Sequence, residues 1–323
     1  MKWINCLDTP IKICGLLDGY HRLPPEMIDK VNSGVTGLAL HTAGGRVRFA
    51  TDSTTLNVRI KLAAGGMMSH MPLSGMSGLD FYIEGVCRGA VYPENPAQIE
   101  YEGGITRENK MCQVTINLPL YNGLTEILIG IDDSANIVPP VEYKVTKPVV
   151  FYGSSITQGG CASRPGNAYT AVLARWADAD HINLGFSGSA RGESIMARYI
   201  ASLSMSVLVM DYDHNAPSPE HLKATHKSFF EIIREAQPNL PVIFISKPDY
   251  DSNPVVNAIR RDIINETFVS AQAKGDRAVY FVDGQSLFGT RDRDACTVDS
   301  CHPNDLGFMR MAENIYPVLK KIL

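Results

Sequence analysis

No run of the 323-residue chain is long and apolar enough to cross a bilayer, so no membrane partner is expected. An excess of positive charge is also missing. The 30 Lys and Arg face 34 Asp and Glu, leaving a net charge of -4 that favours neither nucleic acid nor an anionic surface. The seven cysteines, Cys6, Cys14, Cys87, Cys112, Cys161, Cys296 and Cys301, contain no Cys-x-x-Cys pair, which removes the zinc and redox frameworks built on that spacing. Their odd number and scatter fit free thiols in a reducing compartment. Cys296 and Cys301 bracket a short segment and are the one pair for which a bridge is considered, although spacing does not test its geometry. A signal-peptide core is not visible either, because Asn5 and Asp8 interrupt the first ten residues. A cytoplasmic location is the expectation, and a leader already removed would leave no trace.

What remains is an ordinary globular composition, 45% hydrophobic and 20% charged, in a chain long enough for two domains. Residues 1–145 read as strands and turns. Segments 45–50 and 55–62 alternate apolar with polar residues, as half-buried antiparallel strands do, and 79–83, 111–118 and 126–131 are further strand candidates. Gly65-Gly66, Gly103-Gly104 and Asn122-Gly123 are read as the turns between them. Short strands so punctuated predict an all-β sandwich. After Val138-Pro139-Pro140-Val141 the pattern changes. Apolar runs at 148–152, 181–186, 207–212, 242–246 and 278–283 alternate with helical periodicity, clearest over 219–237, where Leu222, Phe229, Ile233 and Ala236 share a face and Pro238 ends the pattern. This predicts an α/β domain over 146–323 with a parallel sheet covered on both faces and ligands at the carboxyl ends of its strands.

The first strand-to-helix loop of that domain is Gly153-Ser154-Ser155-Ile156-Thr157-Gln158-Gly159-Gly160. Alone it could be a phosphate cradle, the seat of a nucleophile, or a turn. The far end of the chain bears on the choice. Asp299 and His302 lie three residues apart in a loop after the last strand, which can return to the same rim of the sheet. A compact turn would then set the carboxylate against one imidazole nitrogen and leave the other to accept a proton, as in a Ser-His-Asp triad. Two further loops of that rim carry donors for a developing oxyanion, Gly188 through its amide and Asn215 through its carboxamide. Taken singly, a tight turn and a helix cap explain those two as readily.

At these residues the chain resembles the SGNH, or GDSL-type, hydrolase superfamily. Gly153-Ser154-Ser155-Ile156 is similar to its Gly-Asp-Ser-Leu block, Gly188 to its second-block glycine, Asp213-His214-Asn215-Ala216 to its Gly-x-Asn-Asp block, and Asp299 with His302 to its Asp-x-x-His. Ser154 stands where Asp is usual, and Asp213 and Ala216 replace the Gly and Asp of the third block. The resemblance implies a flavodoxin-like three-layer α/β/α domain, Ser155 as nucleophile, and Ser155, Gly188 and Asn215 as the oxyanion hole. It calls for no metal or organic cofactor. Gly78-Leu79-Asp80-Phe81-Tyr82 is similar to the Gly-x-Asp-Leu-Tyr motif of a β-rich domain found ahead of some SGNH hydrolases, with Phe81 in place of Leu. Paired domains of this kind imply a small acyl ester, acetyl on a carbohydrate, as the substrate. The rivals are a non-catalytic carbohydrate-binding protein with a degenerate hydrolase domain, and an enzyme whose first loop binds a phosphate-bearing ligand. The first leaves every catalytic position filled without use, and the second leaves Asp299 and His302 without a task.

Other features also bear on function. His21, His41, His70 and His181 are isolated in sequence, and His221 and His226 are spaced off a common helical face, so solvated or core-satisfied roles are expected. His214 beside Asn215 either lines the pocket or makes a structural hydrogen bond. The methionines at 67, 68, 71 and 76 read as loop cover for the sandwich or the domain boundary, with an adaptable contact surface as the alternative. Arg164 and Arg191 are candidates for holding a carboxylate or sugar hydroxyls, or for ion pairs.

Overall fold

The computed structural model describes residues 1–323, the side chain of Asp18 excepted. The N-terminal half is built on two antiparallel sheets. One has the strand order Lys2–Asn5, Leu124–Ile131, Thr55–Leu62, Glu100–Thr106. The other runs Ile137–Val138, Arg46–Thr51, Cys112–Asn117, Leu79–Ile83, Val86–Val91, with Lys12–Cys14 also paired to Arg46–Thr51. Their inward faces share one core, in which Val47, Phe49, Leu56, Val58, Phe81, Ile116 and Ile129 are fully buried. Each such side chain contributes about 1.5–3 kcal/mol relative to exposure.

Two sequence expectations change here. Gly103 and Gly104 form no turn; they lie inside the strand Glu100–Thr106. A Cβ on Gly104 would sit 2.1 Å from the Leu56 carbonyl oxygen, so glycine permits this edge strand to approach its neighbour closely. The strand Arg46–Thr51, whose alternation predicts one wet face, is buried along its whole length. Its outer side is covered: Arg46 pairs with Asp180 of the second half, and the Arg48 guanidinium lies 3.7 Å from the ring centroid of Tyr143, in the segment that joins the halves.

The C-terminal half carries a five-stranded parallel sheet in the order Ala179–Gly185, Val145–Gly153, Val207–Asp211, Val242–Ile245, Val279–Val282. This is the 2-1-3-4-5 doubly wound order of flavodoxin-like folds. Side chains alternate between its faces. Val149, Phe151, Val207, Val209 and Ile243 join one core with the helices Tyr169–Ala177 and Asp305–Ile322. Val150, Tyr152, Leu208, Met210 and Phe244 join the other with Ser194–Ser202, Pro219–Ala236 and Pro254–Ala273. The helix Pro219–Ala236 starts where Ser218 accepts from the His221 N–H and buries Leu222, His226, Phe229, Phe230 and Ile233. His226 is satisfied inside the core by the Thr267 hydroxyl at 3.0 Å.

The halves interlock. Short helices Pro25–Ile28 and Ser33–Leu38 send Met27 and Val35 into the second of these cores. Arg22, buried over the Phe186 ring, donates to the carbonyls of Leu38, His41, Asn183 and Gly185. From the methionine loop, Met71 and Met76 join the core that holds Cys161 and Ala162, so the loop covers the domain boundary, while Met67 stays exposed.

Candidate active site

The strand Val145–Gly153 ends at Gly153, where a Cβ would strike Thr157 Oγ1 and the Asp211 carbonyl. The chain then turns at once into a single helical turn, Ser155–Gln158. Ser154 caps it by accepting from the Ile156 N–H at 3.2 Å, and Gly159 closes it at φ 109°. Of the adjacent serines, Ser154 is therefore fully buried and spent on the bend, while the Ser155 hydroxyl faces His302. Beneath the turn, Asp211 accepts hydrogen bonds from Thr157 at 3.0 Å and Tyr169 at 2.7 Å. Burial pushes its carboxyl up to about 7 against the pull of those two hydroxyls.

The loop after the last strand comes back to this point. Thr297 and Pro303 form an antiparallel bridge, Val298 N–H donates to the His302 carbonyl at 3.0 Å, and Ser300 takes φ 64° at the tip. Inside this turn Asp299 accepts from the His302 and Cys301 amides at 2.7 and 3.1 Å, and from His302 Nδ1 at 2.8 Å. Partial burial raises the Asp299 carboxyl, but the His302 amide and ring and the Cys301 amide outweigh it and hold the group below its ordinary range. The other ring nitrogen, Nε2, lies 2.9 Å from Ser155 Oγ. The structure thus brings Ser155, His302 and Asp299 into one hydrogen-bonded chain.

Gly188 and Asn215 converge on each other. The Gly188 N–H donates to Asn215 Oδ1 at 3.1 Å, and Asn215 Nδ2 donates to the Phe186 carbonyl at 2.7 Å, leaving the second carboxamide N–H. Gly188 has φ 67° and open space where a Cβ would stand. Gln158 ties this loop to the first: its Oε1 accepts from Ser187 N–H at 3.1 Å while its Nε2 donates to the Leu120 carbonyl at 3.0 Å.

The unusual third block has its own support. Asp213 is buried and accepts from Arg260 Nε at 2.7 Å and from the Lys247 amide at 3.1 Å, and Arg260 also donates to the carbonyls of Asp213 and Ala216. One guanidinium therefore grips both ends of the turn that presents Asn215. His214 places Nε2 2.7 Å from Asp249 Oδ1, although the two are poorly aligned for a hydrogen bond, and Nδ1 3.8 Å from Cys301 Sγ. Burial raises Asp249, yet His214, Lys247 and the Ser252 hydroxyl hold it down at about 2.

Arg164 forms an ion pair with Asp80 at 3.0 Å and donates to the Tyr82 hydroxyl at 2.7 Å. Arg191 stays beside the second loop, its guanidinium 3.4 Å from the Gly188 carbonyl. Cys296 and Cys301 are free: Cys296 is buried 3.2 Å from the Arg310 guanidinium, and Cys301 faces His214. One neighbour of the site is isolated in sequence. His70, from the methionine loop, holds its ring centroid 5.4 Å from that of His302. Its isolation in sequence hid this, because the contact depends on how the sandwich docks.

Residues 146–320 match the GDSL-like lipase/acylhydrolase family, and residues 1–137 match the GxDLY N-terminal domain of SGNH-hydrolase-type esterases. Among solved structures, a candidate GDSL-like lipase from Bacteroides ovatus ATCC 8483 is 27% identical with a TM-score of 0.89, covering 99% of this chain and 97% of its own. The salicylyl-acyltransferase SsfX3 of a tetracycline biosynthetic pathway is 22% identical at a TM-score of 0.82, with the same coverage of 99% and 97%. An acetyl xylan esterase from the rumen bacterium Butyrivibrio proteoclasticus shares the fold at 14% identity and a TM-score of 0.61, covering 99% of this chain and 98% of its own. A search of curated proteins returned no match. The chain belongs to the GDSL-like lipase/acylhydrolase family.

Proposed function

We propose that the protein is a serine esterase that removes a small acyl group, acetyl in the first instance, from a carbohydrate. The observation that carries this reading is the 2.9 Å contact between Ser155 Oγ and His302 Nε2, with Asp299 on the opposite ring nitrogen. Ser155 attacks the ester carbonyl as His302 takes its proton, and Asp299 holds the imidazole tautomer and stabilises the imidazolium. His302 then gives the proton to the departing alkoxide, leaving an acyl-enzyme. Water, deprotonated by His302, attacks the acyl carbon and restores the Ser155 hydroxyl.

The oxyanion is held by the Ser155 and Gly188 amides and the free N–H of Asn215. One such donor is worth about 3 kcal/mol in the transition state. Gly188 N–H donates to Asn215 in the structure, so it turns to the substrate oxygen as the tetrahedral intermediate forms. The acyl-transferring and acetyl xylan esterase relatives support the acyl chemistry and the carbohydrate substrate class by likeness of fold.

The test is turnover of p-nitrophenyl acetate and acetylated oligosaccharides by the wild type and Ser155→Ala, with fluorophosphonate labelling mapped to a residue. Wild-type hydrolysis that disappears in the variant, and a label on Ser155, are expected. Sugar binding without turnover, or a label on another serine, overturns the reading.

A further inference from the structure

His70, Cys161 and His302 come from three distant stretches of the chain, yet one nitrogen or sulfur donor of each lies within 4.8 Å of the other two. His70 is on the methionine loop of the sandwich, Cys161 follows the turn that carries Ser155, and His302 is the imidazole bonded to Ser155. Two imidazoles and a thiol are the donor set of zinc and other borderline-soft divalent ions, and they are a poor set for magnesium or calcium. His302 is already oriented as such a ligand. Its Nδ1 is bonded to the Asp299 carboxylate, the arrangement that fixes the tautomer of metal-bound histidines, which leaves Nε2 as the donor.

We propose that Zn2+, or a divalent ion of similar softness, binds His70, Cys161 and His302 Nε2 and switches the active site off reversibly. Tetrahedral zinc sets its N and S ligands about 3.3–3.8 Å apart. The three donors, all within 4.8 Å of one another, therefore close by at most about 1.5 Å, a movement available to His70 on a loop beginning Gly65-Gly66. On binding, the Cys161 S–H bond breaks, its proton passes to solvent and an S–Zn bond forms. The Nε2 lone pair is donated to the metal, so it cannot accept the Ser155 proton, and water completes the fourth position. Burial and the nearby Asp299 push the Cys161 thiol up to about 12, and a cation at the sulfur reverses that cost.

A second group, His214, Asp249 and Cys301, is equally close-packed. There the Lys247 ammonium lies 3.5 Å from Asp249 and already supplies the positive charge.

The inhibitory effect rests on the esterase reading, whereas metal binding does not. Binding is measured on the full chain without substrate, by calorimetry with ZnCl2 and by thiolate-to-cobalt absorption with Co2+. Wild type is expected to bind one ion per chain with a thiolate band. His70→Ala and Cys161→Ser should each weaken zinc binding by more than about tenfold, the second also removing the band, and Cys301→Ser should leave both unchanged. Activity toward p-nitrophenyl acetate should fall with zinc, return with chelator, and need more than about tenfold higher zinc in His70→Ala. No binding by the wild type, unaltered binding in both variants, or loss only in Cys301→Ser overturns the proposal. Zinc bound as described by a protein that hydrolyses no ester upholds the site and overturns its inhibitory effect. Esterolysis without zinc binding leaves the esterase reading standing and ends this one.

Discussion

Asp80 of the sandwich and Arg164 of the loop that follows the Ser155 turn form an ion pair across the domain boundary at 3.0 Å. Asp80 also accepts from the Gly166 amide at 2.8 Å and from Asn117 at 2.7 Å, and the Tyr82 hydroxyl meets the same arginine. The Asp and Tyr of the Gly-x-Asp-x-Tyr motif thus bind the catalytic half. The adjoining Ser163 is held in turn by its amide on Asp305, at the start of the last helix, at 2.8 Å.

Asp80→Ala should therefore destabilise the whole protein. Removing one partner of a fully buried pair costs about 3–5 kcal/mol, and since Arg164 is partly exposed the lower end is expected. Urea unfolding reads it, and a midpoint unchanged from wild type would refute the locking role.

Asp299→Asn should retain the fold and lower kcat by about 10^4, because the amide favours the wrong imidazole tautomer. Fluorophosphonate labelling of Ser155 should slow in parallel. A kcat within tenfold of wild type would remove Asp299 from the mechanism.

Asn215→Ala should cost about 10^2–10^3 in kcat with KM little changed. Arg260→Ala should lose part of that activity as well as stability, since Asp213 is left buried without its partner, at about 3 kcal/mol or more. Steady-state kinetics with a parallel melt separate the two effects. Full activity in a destabilised Arg260→Ala would show that the turn presents Asn215 unaided.

Asp211 gives the protein a pH signature. An acid whose folded pKa, about 7 here, lies above its unfolded value binds its proton more tightly when folded. Its favourable contribution is complete below about pH 4 and is lost as pH rises to about 7. Asp211→Asn should shrink the drop in urea midpoint between pH 5 and pH 8, and an identical drop in wild type and variant would refute the assignment.

Some of this was readable residue by residue. The strand Thr55–Leu62 and the helix Pro219–Ala236 follow from local alternation and 3.6-residue periodicity, because burial on one side imposes that pattern. The turn at 297–303 follows from short-range hydrogen bonding, which the Asp-x-x-His spacing encodes. Strands with little alternation escaped. Glu100–Thr106 is interrupted by two glycines, and Val86–Val91 and Lys12–Cys14 are short and partly exposed.

By itself, then, the order of residues determined the two kinds of secondary-structure pattern, since each depends on neighbours within a few turns of chain, and the regular alternation of strand with helix pointed to a parallel sheet. Only the tertiary structure decided that Asp80 grips Arg164, that Arg260 supports the Asn215 turn, and that His70 reaches His302. Those pairings depend on how separately patterned surfaces dock, and no local periodicity records the partner of a side chain that lies a domain away.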